Sequence, residues 1–324
     1  MNIQLTINSR NAGKKYEISE IGDGEIKWTT SRIGVAGKLT FDLIKHSEII
    51  CHEGDQVRLT VDGHSYFLGY IFAKSKTQER ISVTCYDMLK YLKSKQSYNF
   101  TGHTLTSVVN RIAEDFNLTK GISEESEYVL PDKIYEDISL FDIITECITK
   151  TAIATGKIYV LYDGVNQLCL QEMHNLLRAA PIIEPLTLAR EYTYKTSIED
   201  SYNVVKVVQP NKSTGKGDAY TLMDAGKIAE WGKLQYYEKC DDDSNDAQLR
   251  ERAVKLLSYY AQTQRQLKIH CSGLPNVFAG CMVPVKIPAL GDIDLSKNLL
   301  VEKCTHTWSS NDHTMDLEMK VYNG

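Results

Sequence analysis

Short stretches that alternate apolar and polar residues, joined by tight turns, are the feature that most limits what this chain can fold into. The clearest is QVRLTVDGHSYFLGYIF at 56–72, in which Val57, Leu59 and Val61 alternate before an Asp-Gly dipeptide. Asp-Gly favours a two-residue hairpin turn because both central positions of that turn need positive φ. Repeated hairpins of this kind are typical of β-barrels and β-sandwiches.

The pattern changes twice along the chain and divides it into three predicted parts. Residues 1–95 carry strand signals, residues 96–189 carry two helical stripes followed by a hairpin, and strands return from 190. A further helical stripe interrupts the last part at about 240–264. We therefore predict an α+β, mainly β fold. It has two small β-barrel domains at 1–95 and 190–324, an intervening α/β domain at 96–189, and a helical insertion in the second barrel.

The two helices of the middle part have recognisable ends. One begins after Thr104 in HTLTSVVNRIAEDFNL, and the other begins at Ser139 in SLFDIITECITKTAIATG. A hydroxyl side chain at the N-cap accepts a backbone N–H that would otherwise have no partner in the helix. Gly156 is suited to end the second helix.

A weak internal repeat links the two predicted barrels. EGDQVRLTV at 53–61 resembles AGCMVPVKI at 279–287. Each segment is followed by a long outgoing strand, a polar turn and a returning strand. The repeat predicts that one β domain has been duplicated within the chain.

The segment RISVTCYDMLKYLK raises the question of a reactive Cys-Tyr-Asp site. Ile81, Val83 and Cys85 alternate on one face of a strand, and from Asp87 the spacing of apolar residues becomes helical. A carboxylate at that point can cap the helix by accepting free backbone N–H groups. A nucleophilic cysteine needs a positioned base, and no candidate base is adjacent in sequence. We interpret this segment as a junction between a strand and a helix.

The last helical stripe predicts which side of that helix is buried. Its apolar members are Leu249, Ala253, Leu256, Leu257 and Tyr260. We expect this side to pack on the second barrel or on the α/β domain. Arg250, Glu251 and Lys255 are expected to face solvent.

Other candidate sites have simpler structural explanations. CDDDSND at 240–246 lacks the glycine and glutamate spacing of an EF-type calcium loop and is better suited to cap the helix that follows. STGKGDA at 213–219 lacks the spacing of a phosphate-binding loop. A zinc site could be assembled from scattered residues, but these lack the usual close pairs and suit small core positions: His270, Cys271, Cys281, Cys304 and His306. We predict no catalytic, cofactor-binding or metal-binding residues, and no cofactor.

Charge and cysteine content exclude several classes of protein. The net charge is −5, and no long Lys/Arg run is present, which disfavours binding to nucleic acid. No signal peptide and no apolar run of about 18–20 residues is evident, which disfavours membrane insertion. The eight cysteines are scattered without a CxxC motif, as is typical of a protein made in a reducing cytoplasm.

Six segments, in order along the chain, resemble the XkdQ/YqbQ family of prophage tail proteins. They are GKLTFDLIK, EGDQVRLTVDG, ISVTCYDMLKYLK, SIEDSYNVVKVV, AEWGKLQYYEK and VEKCTHTWSSNDHTMDLEMKV. They run from about residue 37 to the C-terminus. These family members are baseplate hub proteins of contractile phage tails and of phage-tail-like bacteriocins.

The resemblance implies a non-enzymatic structural protein with tube-type β-barrels. It implies a homotrimer whose six barrels form a ring of near six-fold symmetry, joining the tail tube to the central spike. Expected partners are the tube protein, the spike protein and the baseplate wedge or LysM-type tail proteins. The protein would be made in the bacterial cytoplasm and assembled into the tail of a virion or tail-like particle.

Two alternatives stay open, namely a tail-associated cell-wall hydrolase and a spike or distal-tail protein. For the hub, the long hairpins at about 66–85 and 299–321 are expected to make the contacts between chains. Tyr70 and Trp308 are the candidate interface residues in them, because aromatic side chains are enriched at interfaces.

Overall fold

The computed structural model shows a mainly β protein built from several sheets. It describes residues 1–18, 22–46, 49–178, 181–185, 187–210, 217–240, 246–288, 290, 295–309 and 312–321. No helix in these ranges is long and apolar enough to cross a membrane.

The first part of the chain forms an antiparallel sheet, called here the first β unit. Its strands are β1 (Ile3–Ser9), β2 (Lys14–Glu17), β3 (Gly22–Ser31), β4 (Lys38–Ile44), β5 (Gln56–Val61), β6 (His64–Lys76) and β7 (Arg80–Tyr86). They are ordered β3-β4-β7-β6-β5-β1-β2. The alternation predicted for β5 is confirmed, because Val57, Leu59 and Val61 are buried.

The junction after β7 has the predicted structure. A 3-10 helix runs from Met88 to Lys93, and the Asp87 carboxylate accepts the backbone N–H of Leu89 at 3.0 Å. Val83 and Cys85 are buried in the core of the first β unit. The capping role predicted for Asp87 is therefore confirmed.

The middle unit contains two helices and five short strands. Its elements are β8 (Lys95–Phe100), α1 (Leu105–Asp115), β9 (Lys120–Ser123), β10 (Lys133–Ser139), α2 (Leu140–Thr155), β11 (Tyr159–Asp163) and β12 (Leu168–Glu172), with a 3-10 helix at Met173–Leu176. β8 pairs with β10, and β12 lies between β11 and β9. Thr104 and Ser139 cap the two helices, and Gly156 ends α2 at φ 76°, as predicted.

The second β unit consists of β13 (Ala189–Ser197), β17 (Gln264–Ser272), β18 (Met282–Ile287), β19 (Leu295–Trp308) and β20 (His313–Lys320). Between β13 and β17 the chain forms an inserted unit, with β14 (Val204–Pro210), β15 (Gly217–Met223), α3 (Ala225–Trp231), β16 (Gln235–Lys239) and α4 (Asp246–Tyr260).

The inserted unit differs from the sequence prediction. Its three strands, which the sequence places in the second barrel, form a separate sheet in the order β15-β14-β16. The apolar side of α4 covers this sheet, and Leu256 packs in one core with Val205 and Val207. The insertion is thus a small α/β layer and not a helix alone. The predicted buried stripe of α4 is confirmed, with Leu257 and Tyr260 partly buried.

The two β units have the same topology. The second is ordered β13-β17-β20-β19-β18, which matches β3-β4-β7-β6-β5 strand for strand, and every neighbouring pair is antiparallel. The long strands β6 and β19 carry equivalent bulges, after Ile71 and after Val301. The strand order therefore supports the predicted duplication.

The two repeated segments, 53–61 and 279–287, make the same backbone hydrogen bonds in both β units. In each, a glycine N–H donates to the long strand, and the long strand donates back to the residue after that glycine. The bonds are Gly54 N to Ile71 O (2.8 Å), Ile71 N to Asp55 O (2.9 Å), Gly280 N to Val301 O (2.7 Å) and Val301 N to Cys281 O (3.0 Å). Both glycines have positive φ, 88° and 103°.

The two units share one continuous twelve-stranded sheet, because β19 pairs with β3. Among the described residues, this ladder runs open from β13 to β2. It joins the two units edge to edge, and the two closed barrels that the sequence predicts stay a prediction.

Candidate functional site: the contact between the two β units

The contact between the units lies on one edge of the long strand β19. Its first half pairs with β18, and its second half pairs with β3 in antiparallel register, from Lys303 opposite Ser31 to Trp308 opposite Ile26. The other edge of β19 is occupied by β20. β19 therefore belongs to one unit and also extends the sheet of the other.

An ion pair fastens one end of this contact. The Arg32 guanidinium donates to both carboxylate oxygens of Glu302, from Nε at 2.9 Å and from Nη2 at 3.0 Å. The backbone N–H of Arg32 also donates to the Glu302 carbonyl at 2.9 Å. Such bidentate pairs fix geometry as well as adding attraction. Glu302 is the bulge residue of β19, which directs its side chain to this point.

Threonines add further polar contacts along the same edge. The hydroxyls of Thr29 and Thr305 lie 3.1 Å apart across the ladder. Thr30 Oγ1 accepts the backbone N–H of Ala279 at 2.9 Å, which ties β3 to the turn before β18. β3 is thus bound to two separate segments of the second unit.

Aromatic rings fill the inner side of the contact. His306 stacks on Trp28 and on Trp308, with ring centroids 5.4 and 5.3 Å apart, and Trp308 stacks on His313 at 4.9 Å. Tyr66 meets Trp308 edge to face at 4.9 Å. Such pairs add about 0.5–1.5 kcal/mol each beyond burial alone. Both units contribute rings, so the cluster stabilises their mutual position.

His306 is a neutral structural residue in this cluster. Its Nε2 lies 2.8 Å from the Val277 carbonyl oxygen, which can only accept, so Nε2 carries the proton. Nδ1 then accepts from His313 Nε2 at 2.8 Å. Burial lowers the pKa of His306 to about 3. The ring is therefore uncharged near neutral pH and is held in one tautomer.

A cavity of about 240 Å³ lies beside the contact, where the first β unit, the middle unit and the second β unit meet. Asp87 and Asp163 line it together with Arg178, whose guanidinium lies 4.9 Å from the centre of the Phe278 ring. Burial raises the pKa of Asp87 well above its usual value, and the nearby Asp163 adds to this effect. Burial also raises the pKa of Asp163, to about 7.

The two carboxyl groups of the cavity are already engaged by backbone groups. Asp87 accepts N–H bonds from Gly37 at 2.8 Å and from Leu89 at 3.0 Å. Asp163 accepts the N–H of Gln167 at 3.0 Å across the hairpin between β11 and β12. These bonds hold the ends of elements in place. The arrangement is that of a structural joint, and we assign no reaction to it.

Replacing Asp163 with asparagine is expected to stabilise the protein at pH 8 by roughly 1–3 kcal/mol. In the unfolded chain this carboxyl ionises near its ordinary pKa of 3.8, whereas in the fold its pKa is about 7. The unfolded state therefore binds fewer protons between these values, and wild-type stability falls as pH rises through them. The amide keeps the acceptor for Gln167 but does not ionise.

Urea unfolding between pH 4 and pH 8 measures this effect. The gain of Asp163→Asn over wild type should shrink towards zero near pH 4. Glu136→Gln, on an exposed strand position, is the matched control and should leave the pH profile unchanged. A variant that is less stable than wild type at both ends of the range would contradict the assignment.

Comparison with known proteins places the chain in a family. A family model described as YQBQ-like matches residues 26–320. The chain belongs to the YQBQ-like family. The uncharacterized protein YqbQ of Bacillus subtilis (strain 168) is 29% identical over 277 residues, which cover 85% of this chain and 83% of YqbQ. The phage-like element PBSX protein XkdQ of the same strain is 30% identical over 270 residues, covering 82% of this chain and 81% of XkdQ.

A solved structure shows the same fold. The 43 kDa tail protein of prophage MuSo2 from Shewanella oneidensis aligns with a TM-score of 0.71 over 98% of each chain, at 13% identity. Together with the family match, this confirms the predicted relationship to XkdQ/YqbQ-like phage tail proteins.

The two candidate interface residues of this YQBQ-like chain lie in different places. Trp308 is fully buried between the two β units of one chain. Tyr70 is partly exposed, beside Arg10 at 5.5 Å and Tyr91 at 6.3 Å. Trp308 thus lies at a contact, but the contact is within the chain. A role for either residue between chains stays a prediction.

Residues considered for chemistry are engaged in structural contacts. Cys85 is buried, and burial raises the pKa of its thiol. Among the zinc candidates, Cys304 Sγ donates to the Val277 carbonyl, and His270 bonds Asp316 at 2.7 Å. Of the acidic segment at 240–246, residues 241–245 lie outside the described residues, as do residues 213–216 of STGKGDA.

Sequence reasoning missed two features of the site. One is Asp163, whose only local signal is its place before Gly164 in a hairpin. The other is the Arg32–Glu302 ion pair, because these residues meet only when the two units join. Neither partner carries a local pattern that points to the other.

Proposed function

We propose that this chain is a structural baseplate hub of a contractile phage tail or tail-like particle. Three copies would form a closed ring of six similar β units, placed between the tail tube and the central spike. Family membership and the phage-like element that carries the relative XkdQ support a role in a tail. The observation that carries the hub proposal is the repeated strand order, with one unit joined edge to edge to the other.

Duplication within a chain lets one protein match two symmetries. The β19–β3 contact uses different edges of two similar units, so it is a head-to-tail contact. Head-to-tail contacts generate rings when their rotation closes. Three chains with two units each supply six similar β units, which match a six-fold partner. The same three chains are identical, so they also match a three-fold partner. This is what a connector between a six-fold tube and a three-fold spike requires.

The proposal includes the finer architecture expected from the sequence. Residues 1–95 and, apart from the inserted unit, residues 190–324 would each curl into a small barrel in the ring, with 96–189 as a separate domain between them. Partners would be the tube protein, the spike protein and the wedge or LysM-type tail proteins. The chain would be made in the bacterial cytoplasm and would act without catalysis. The engagement of Asp87 and Asp163 by backbone N–H groups favours this over a cell-wall hydrolase.

Reconstruction of assembled tails by electron microscopy tests the proposal. We expect three copies of this chain in one ring at the junction of tube and spike. Any other copy number, or a place away from that junction, would overturn the hub assignment. Activity of the pure protein on cell walls in a zymogram would overturn its non-enzymatic part.

A further inference from the structure

We infer that the second half of β6 binds β13 of a neighbouring copy as an added antiparallel strand, in the register that β19 and β3 use within one chain. The inference rests on the proposed ring and specifies how its chains are joined. It follows from the equivalence of β6 with β19 and of β13 with β3.

The pairing of β19 with β3 is formed once within each chain. The equivalent strands, β6 and β13, are not paired with each other in the described part of the chain. On the edge opposite β20, β19 holds β18 and then β3. On the equivalent edge of β6, β5 pairs only as far as Tyr70. No strand in the described part of the chain pairs with that edge at 73–76. At the other end, β13 closes the sheet order and, among the described strands, pairs with β17 alone. An edge left open on each side invites pairing with another chain.

The strands that would enter the contact carry similar residues. Trp28 lies opposite Leu39 of β4, and Tyr194 lies opposite the equivalent Leu267 of β17. This register aligns the sequence Trp-Thr-Thr-Ser at 28–31 with Tyr-Lys-Thr-Ser at 194–197. An aromatic residue, a threonine and a serine are thus repeated at the same ladder positions.

The threonine shared by the two strands, Thr30 in β3 and Thr196 in β13, can accept the same kind of backbone hydrogen bond in both contacts. Thr30 accepts the N–H of Ala279, in the turn before β18. The residue equivalent to Ala279 in the first unit is Glu53, since EGDQ aligns with AGCM. We expect Thr196 to accept the N–H of Glu53 from the neighbouring copy.

Side chains on β13 and β6 are exposed, as expected for strands whose contact is not formed within one chain. In the contact that is formed, Thr29, Thr30 and Ser31 are partly buried. At the equivalent positions Lys195 and Thr196 are exposed. Within β6, Phe72 and Ala73 are exposed, with Phe72 at 37%.

The ion pair of the formed contact is replaced by an apolar pair. Phe72 is the bulge residue of β6 and takes the place that Glu302 has in β19. Ile198, the residue after the repeat, takes the place of Arg32. A phenylalanine and an isoleucine would therefore meet where a glutamate and an arginine meet within the chain. Replacing both partners of a pair by apolar groups keeps the contact complementary. Because Phe72 and Ile198 match each other at the positions of Glu302 and Arg32, the strand that pairs with β6 is assigned to a second copy of this chain.

Disulfide trapping in assembled tails tests the register. Ala73 and Ser197 would lie directly opposite, as Lys303 and Ser31 do. Opposed Cα atoms of antiparallel strands are about 4.5–5.5 Å apart, within the range of a disulfide. Under mild oxidation, tails carrying Ala73→Cys with Ser197→Cys should yield a covalent trimer of this chain on a denaturing gel. Wild type and the two single variants control for the eight native cysteines, seven of which are buried.

A shifted pair is the matched control. Ala73→Cys with Thr193→Cys moves one thiol by four residues, about 13 Å along the strand, and should not cross-link. Equal trapping of both pairs, or none with the first pair in tails that hold three copies, would overturn this inference and leave the hub assignment standing. Tails with another copy number would overturn the hub itself.

Discussion

Replacing Leu256 with aspartate is expected to lower the free energy of unfolding by about 4 kcal/mol or more. Leu256 is fully buried on α4 and packs with Val205 and Val207 of the inserted sheet. Two effects add at this position. Removing the leucine leaves space in the core, and the new carboxylate must either be buried as a charge or be protonated. For a unit this small, the loss should also reduce the yield of folded protein.

Val254 offers a control on the same helix, because its side chain is 48% exposed. Val254→Asp introduces the same charge at nearly the same helix position, and we expect a change within about 0.5–1 kcal/mol. Urea unfolding followed by circular dichroism compares the two variants. Equal stability of Leu256→Asp and Val254→Asp would show that the buried side of α4 has been wrongly assigned.

The buried side of α4 was predictable because it follows from local spacing. Leu249, Ala253 and Leu256 recur at helical intervals, and a helix that covers a core must bury such a stripe. The hairpins of the first unit and the cap at Asp87 were predictable for the same reason. Each depends on residues a few positions apart.

The assignment of strands to sheets was not predictable in this way. Val205 and Val207 alternate as the strands of the second unit do, yet they belong to a separate sheet under α4. Alternation tells which residues share a face, but it does not tell which core that face covers. The sequence therefore predicted the strands of the insertion and misplaced them.

The same limit applies to the contact between the units. The alternation of β19 marks Trp308 as one of a row of similar positions, and only the pairing with β3 makes it fully buried. The match between residues 28–31 and 194–197 is also too short to be noticed without the ladder that aligns them. Once the ladder is known, the match becomes informative, because it falls on equivalent strands.

Replacing Trp308 with alanine is expected to lower the free energy of unfolding by about 3–5 kcal/mol. The ring is fully buried and stacks on His306 and His313, with Tyr66 at its edge. The cavity left by this change lies between two units that are held by the pairing of β19 with β3. That pairing cannot collapse around the cavity without moving one unit relative to the other.

Phenylalanine at this position is the matched control. The indole Nε1 of Trp308 has no hydrogen-bond partner among the described residues, so Trp308→Phe loses ring area but no bond. We expect it to destabilise the protein by less than about 2 kcal/mol.

Chemical unfolding measures the stability of both variants. The number of complete hub rings in assembled tails measures the effect of each variant on assembly. If the contact within the chain sets the geometry that the ring repeats, Trp308→Ala should reduce assembly even at temperatures where the isolated chain stays folded. Trp308→Phe should assemble normally. Normal assembly of folded Trp308→Ala would show that the ring does not depend on this contact.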